Sequence, residues 1–244
     1  MISSRVCLLT GASGRLGAMF CEIFRKEYKI AAVYHENIPL FPSQHTEIVD
    51  PCRQMSGAAD PDSLFVIKAD LFDTTQIDRV VELTLARFGR IDLLINGAVF
   101  SHWASAVDDR ALVDCAMQQF EMNVVVPLRL SVKIAHEFWR DRHQENRDIN
   151  RNVINVSSSS GVYIYPNPKQ SVYSASKAAL NYMSCHLANE FRAFGVRVNT
   201  VAPNAFPGIV TTENVARLLH RIDSETITGQ IVVVDADGEM MYSP

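Results

Sequence analysis

Tyr173 and Lys177 stand four residues apart in Tyr173-Ser174-Ala175-Ser176-Lys177, and on a helix that spacing puts both side chains on one face. A free phenol titrates near ~10, and a cation held within a few ångströms draws that value toward the working pH. Tyr173 then becomes a group that can give or take a proton, which is what general acid–base catalysis asks of it. Alone, the pair is common on helix surfaces, so its neighbours decide. Upstream, the apolar run 152–156 ends in Ser157-Ser158-Ser159-Ser160-Gly161, a row of hydroxyls of which one can bind a substrate oxygen and the rest form a polar turn.

A second constellation opens the chain. Thr10-Gly11-Ala12-Ser13-Gly14-Arg15-Leu16-Gly17 follows the first apolar run directly and leads into a helix-like pattern. Glycines spaced three apart let backbone and ligand touch, and the free N–H groups of the helix start can receive a pyrophosphate. Arg15 offers a guanidinium for a 2′-phosphate on the adenosine ribose. After the second run, His35-Glu36-Asn37 stands where a dinucleotide enzyme selects its cofactor: Glu36 suits an unphosphorylated ribose, whereas Arg15, His35 and Asn37 can surround a phosphate. The balance favours NADP(H) over NAD(H). Asp70-Leu71 and Asn96-Gly97-Ala98 end later runs at the same edge, where ligands bind in open α/β sheets.

Short β-rich runs at 6–9, 30–34, 64–69, 93–96, 152–156, 197–201 and 231–234 read as strands buried on both faces. Segments with helical spacing at 16–26, 76–88, 112–139 and 172–194 lie between most of them. Alternation of this kind predicts an α/β fold: a single Rossmann-like, doubly wound domain over 1–244, with a seven-stranded parallel sheet flanked by helices. Between Glu36 and Asp62, Pro39, Pro42, Pro51 and Pro61 break up one crossover. The charged segment 140–151 has no apolar period and reads as a solvated loop.

Composition narrows the function. With 244 residues, 48% of them hydrophobic, the chain can bury a large core. A formal net charge of -4 supplies no basic field for nucleic acid. The apolar stretch after the N-terminus is too short for a secretory core or a membrane span, and Cys7, Cys21, Cys52, Cys115 and Cys185 lie scattered, as buried thiols of a reducing compartment would. A soluble cytoplasmic protein is expected. The seven histidines and five cysteines form no spaced ligand set, so no metal is expected.

In this order the Gly11-to-Gly17 loop, Asp70, Asn96-Gly97-Ala98, Asn123, the Ser158 region, Tyr173-to-Lys177, Arg197-Val198-Asn199 and the run from Thr228 to Asp235 resemble the short-chain dehydrogenase/reductase family over nearly the whole chain. The resemblance implies Tyr173 as the acid–base group, Lys177 as the ribose-binding cation, Ser158 as the carbonyl-orienting hydroxyl and Asn123 as the holder of a relay water. It implies hydride exchange between nicotinamide and a carbonyl or alcohol. It also implies a homodimer or homotetramer built through the two long helices.

Departures from the family pattern qualify this. Arg15 stands where a glycine is usual, as in pteridine reductases. Val99 follows Asn96-Gly97-Ala98 where the family has Asn-Asn-Ala-Gly, and Pro203-Asn204 replaces Pro-Gly beside the nicotinamide. The stretch 203–231 is short, predicting an open active site. Phe100, His102, Trp103, Tyr163 and Tyr165 are expected to wall the substrate pocket, implying a ring-bearing or apolar substrate, or else to pack beneath the loops. Two other readings stay open: a catalytically weak nucleotide-binding regulator or scaffold on the same fold, and a reductase of pterin or imine C=N bonds.

Overall fold

Strand β1 (Arg5–Thr10) is apolar throughout because helices cover both its faces: Cys7 and Leu9 enter one core layer, Leu8 the other. The computed structural model describes residues 4–39, 43–45, 64–166 and 169–243. The chain continues through α1 (Arg15–Phe24), β2 (Tyr28–Tyr34), β3 (Ser43–His45), β4 (Leu64–Lys68), α2 (Thr74–Phe88) and β5 (Leu93–Asn96). After α3 (Ala111–Asp114) and α4 (Ala116–Phe120) come α5 (Val126–Ile134), α6 (His143–Ile149) and β6 (Asn152–Val156). Then follow α7 (Ser171–Phe191), β7 (Arg197–Pro203), α8 (Thr212–Ser224), β8 (Ile231–Asp235) and β9 (Gly238–Tyr242).

The strands form one sheet in the order β3-β4-β2-β1-β5-β6-β7-β8-β9, parallel except for the β8–β9 pair. All seven expected strands are present in the doubly wound order. The two additional strands lie at the edges. β3 is three residues long, within the proline-broken crossover whose other prolines, Pro39 apart, lie outside the described residues. β9 returns through a tight hairpin at Gly238 and is mostly exposed, so it lacks the continuous apolar run that marks a buried strand. The chain reverses its winding between β1 and β5, which opens a crevice at their carboxyl ends.

Helices α1 and α8 cover one face, burying Leu16, Phe20, Val215 and Leu219. Helices α2, α5 and α7 cover the other, with Ile77, Leu130, Leu187 and Trp139. The expected helix over 112–139 is broken. Two π-turns, Glu121–Val125 and Ala135–Trp139, flank α5, whose first turn holds Pro127. Proline has no N–H to give the Asn123 carbonyl four residues back, so the α-helical ladder fails at that point.

The segment 140–151 is also not a loop. It contains α6, and Arg151 is fully buried, bonded to Asn146, Glu145 and Asp92. A guanidinium with that many partners can leave solvent, which apolar periodicity does not register.

Candidate active site

The nucleotide end is built from strand ends. Thr10, the last residue of β1, accepts hydrogen bonds at Oγ1 from the backbone N–H of Gly97 (3.1 Å) and Ala98 (3.2 Å), tying the first loop to the end of β5. Gly11 turns the chain at φ +72°, and a Cβ there would sit 2.7 Å from the Gly97 carbonyl oxygen. Only glycine meets both demands. Gly14 begins α1 with no side-chain cap, so the helix presents bare N–H groups.

Beside them lies a cavity of about 320 Å³, lined by Gly11, Ser13, Gly14, His35, Asp70, Leu71, Gly97 and Ala98 among others. Phe72 and Phe100 meet edge-to-face across it, with ring centroids 6.2 Å apart. A glycine cradle, an uncapped helix start and a flat apolar slot fit a dinucleotide.

The other nucleotide-end candidates lie around this cavity. Leu16 and Gly17 are buried in the first turns of α1, while Arg15, Glu36 and Asn37 are exposed and do not line it. Asn96 is buried, donating to Asn155 Oδ1 at 2.8 Å.

At the chemistry end, Tyr173 and Lys177 sit in the first turns of α7, and Lys177 Nζ is 5.8 Å from the Tyr173 ring centroid. Ser158 caps a 3-10 turn, Ser159–Gly161, and its Oγ pairs with Ser160 Oγ at 2.9 Å. That turn lies hard against α7: a Cβ on Gly161 would stand 2.7 Å from the Lys177 backbone. Lys177 donates to the Val156 carbonyl at 2.8 Å, joining α7 to the end of β6.

The electrostatics differ from the expectation drawn from spacing. Burial raises the Tyr173 phenol above its ordinary value, with the neighbouring Ser158 hydroxyl pulling the other way. The same burial lowers the Lys177 ammonium to about 7. Desolvation sets the direction of both shifts, and Lys177 directs its proton at a carbonyl.

Asn123, in the first π-turn, is buried and bonded through its side chain on three sides. It accepts from Phe100 N (3.0 Å) and donates to Phe100 O and Ser176 Oγ (each 2.9 Å). It therefore clamps the loop after β5 to α7, one residue from Lys177.

A cavity of about 390 Å³ beside Tyr173 is lined by Trp103, Ser157 to Ser160, Tyr165, Gln170, Pro203, Asn204 and Phe206. Of the five expected pocket aromatics, Trp103 and Tyr165 are there; Trp103 leans on the Tyr173 ring at 5.7 Å. Tyr163 hydrogen-bonds Tyr242 and lines an adjoining cavity that shares Ser160, Tyr165 and Gln170 with this one. Phe100 and His102 are elsewhere: Phe100 faces the nucleotide cavity and His102 pairs with Asp109 at 2.9 Å. Position in the chain does not reveal that.

Asn204, in the wall of this cavity, commits its amide N–H groups to Asp235, with Nδ2 3.1 Å from both carboxylate oxygens. Gln170 lies in no sequence motif and leaves no signal there, whereas Thr10, Ser160 and Gly161 stand inside the glycine loop and the serine row without being assigned a role of their own.

The family profile described as short chain dehydrogenase matches residues 5–222. The chain belongs to this family. Among curated proteins it is 29% identical over 205 residues to 3-oxoacyl-(acyl-carrier-protein) reductase FabG of Thermotoga maritima, covering 83% of this chain and 74% of that one. It is 27% identical to glucose 1-dehydrogenase 2 of Bacillus subtilis, covering 87% and 74%. A short-chain dehydrogenase/reductase structure from Mycobacterium marinum superposes with TM-score 0.76 at 19% identity over 96% and 95% of the two chains. One from Serratia marcescens gives 0.73 at 20% over 96% of each.

As a short-chain dehydrogenase/reductase, the chain is an NAD(P)-dependent oxidoreductase. No helix among the described residues is long and apolar enough to cross a membrane. Nor does any group of three or more His, Cys, Asp or Glu side chains among them form a metal site. Cys7 and Cys21 are buried as expected, while Cys115 and Cys185 are only partly so; Cys52 lies outside the described residues.

Proposed function

We propose that this short-chain dehydrogenase is an NADPH-dependent reductase of a small carbonyl compound, with Tyr173, Ser158, Lys177 and Asn123 as its working set. One observation carries the reading: Tyr173 and Ser158 line one cavity, with Lys177 buried a single helical turn along. The residues that would hold the dinucleotide are Gly11, Ser13 and Gly14 at the phosphates, Asp70 and Leu71 at the base, and Gly97, Ala98 and Lys177 toward the nicotinamide. When bound, the nicotinamide supplies the hydride, that is, the electron pair that reduces the carbonyl carbon.

Everything else falls to side chains. Ser158 donates to the carbonyl oxygen and stabilises the negative charge that grows there. Tyr173 delivers the proton that completes the alcohol, and its raised pKa keeps it protonated through neutral pH, which suits reduction. Lys177, with a pKa near 7, can return a proton toward Tyr173. The Asn123 carbonyl receives no N–H from Pro127 four residues on, which supports its place as holder of a relay water on that route, as the family resemblance implies. Arg15, exposed on the first turn of α1 and with no ion-pair partner among the described residues, supports NADPH.

The test is oxidation of NADPH and of NADH against a panel of aryl and alkyl ketones. Turnover that Tyr173→Phe lowers by roughly 10²- to 10⁴-fold, with cofactor affinity kept, is expected. Cofactor binding with no turnover across the panel would return the chain to a nucleotide-binding regulator.

A further inference from the structure

The cavity at Tyr173 does not end there. A second cavity, of about 490 Å³, adjoins it and shares Ser160, Tyr165 and Gln170 with it. Its remaining wall includes Ser105, Tyr163, Lys169, Ser171 and Ser174, and no acidic side chain among the described residues. Two observations bear on what this compartment could take.

The first is Gln170. It is only 8% exposed, it lines both cavities, and its amide makes no hydrogen bond to any described residue. Its amide oxygen and nitrogen are not among the buried side-chain atoms cut off from every partner, so they keep contact with cavity solvent. An amide held this firmly, unpaired within the protein and open to a cleft, is available to a ligand. The second is the start of α7. This helix is 21 residues long and begins at Ser171 with no side-chain cap, so its first N–H groups and the positive end of its dipole border the same cavity. Lys169 stands immediately before it, a cation without an ion-pair partner among the described residues.

We infer that the substrate is an oxo acid: its carbonyl lies at Ser158 and Tyr173, and a carboxylate at its far end is taken by Lys169, Gln170 and the start of α7. Because Ser160, Tyr165 and Gln170 belong to both compartments, the two groups are carried on one molecule with an apolar span between them. This rests on the reductase reading above and adds the substrate class to it. The walls contributed by Trp103 and Tyr165 accommodate a ring at the carbonyl end.

The probes are ω-benzoylalkanoic acids of graded length and their methyl esters, assayed for NADPH oxidation and, separately, for binding by thermal shift. At the best length the acid should exceed its ester in kcat/KM by roughly tenfold to a hundredfold, the range expected of charge-assisted hydrogen bonds. Lys169→Met should collapse that acid-to-ester ratio toward one, Lys169→Arg should restore it, and Gln170→Glu should push it below one. Using the ratio cancels any general loss of activity in a variant.

Equal rates for acid and ester, unmoved by these substitutions, would overturn the inference and leave the reductase reading standing. Acid-selective binding that depends on Lys169 and Gln170, without turnover, would uphold the subsite and remove the reductase reading. Neither binding nor turnover at any length would overturn both.

Discussion

Lys177 is the residue in which function and stability conflict most directly. Its ammonium is fully buried, and desolvation lowers its pKa from 10.5 to about 7. Below pH 7 the folded chain holds a charge it would shed more easily than the unfolded chain. Between about 7 and 10.5 the unfolded state binds the extra proton, so folding stability rises with pH across that window. Lys177→Met removes this term. The variant should melt higher than the parent near pH 6, and the gain should shrink toward pH 10 as the parent's lysine loses its charge. Turnover should be lost at every pH. Differential scanning calorimetry across that range checks the sign, and a gain that grew with pH would refute the argument.

Arg15 belongs to the same scale. Both Arg15, at the first turn of α1, and Glu36 are exposed, and in the proposed function they oppose each other in the choice of cofactor. Arg15→Ala should lower the NADPH-to-NADH ratio of kcat/KM by roughly tenfold, the worth of one charge-assisted contact to a phosphate. Glu36→Gln should move the same ratio upward. Steady-state kinetics with both cofactors reads the two variants side by side.

At the scale of elements, the site depends on how closely two segments approach. The serine turn after β6 rests on α7 at Gly161, where an added Cβ would meet backbone at 2.7 Å. Backbone cannot rotate away as a side chain can, so Gly161→Ala must shift the turn and Ser158 with it. A stability loss of roughly 1–3 kcal/mol is expected, and kcat should fall further than cofactor affinity, because the glycine loop lies on another strand. Chemical denaturation together with single-turnover kinetics separates the two effects.

Local spacing made the strand–helix alternation, the glycine loop and the Tyr173–Lys177 face legible, because each is a matter of period or of neighbouring residues. The π-turn at Asn123 was not legible: its cause is Pro127, inside a stretch whose apolar spacing runs on regardless. Nor was the sorting of aromatics, since Phe100 answers to Asn123 and Tyr163 to Tyr242, both distant in the chain, while His102 turns to Asp109 within its own loop. A pairing across 79 residues, such as Tyr163 with Tyr242, leaves no local trace.

Across the whole molecule the two edges of the sheet are built differently. The carboxyl edge carries open cavities, an uncapped helix start and polar groups awaiting partners. The amino edge is closed by buried ions. Asp92, fully buried, accepts from Val6 N at 3.0 Å and pairs with Arg90 at 2.8 Å and Arg151 at 3.3 Å. Nearby, Asp223 takes Arg5 at 2.8 Å and the Tyr28 hydroxyl at 2.8 Å, while Arg197 binds the Ile222, Ile227 and Asp223 carbonyls. These clusters join β1, β7, α8 and the segment after α6, elements far apart in the chain.

A buried pair broken on one side leaves an uncompensated charge, which costs about 3–5 kcal/mol. Asp92→Asn removes the buried carboxylate that Arg90 and Arg151 share, but Arg151 keeps Glu145 as its ion-pair partner. The loss in urea titration should therefore fall below that full amount, at about 1–3 kcal/mol. The residual folded enzyme should keep its kcat, because Asp92 and the cavity at Tyr173 lie at opposite edges of the sheet. A kcat that fell in step with stability would mean that the amino-edge ions also set the geometry of the catalytic edge.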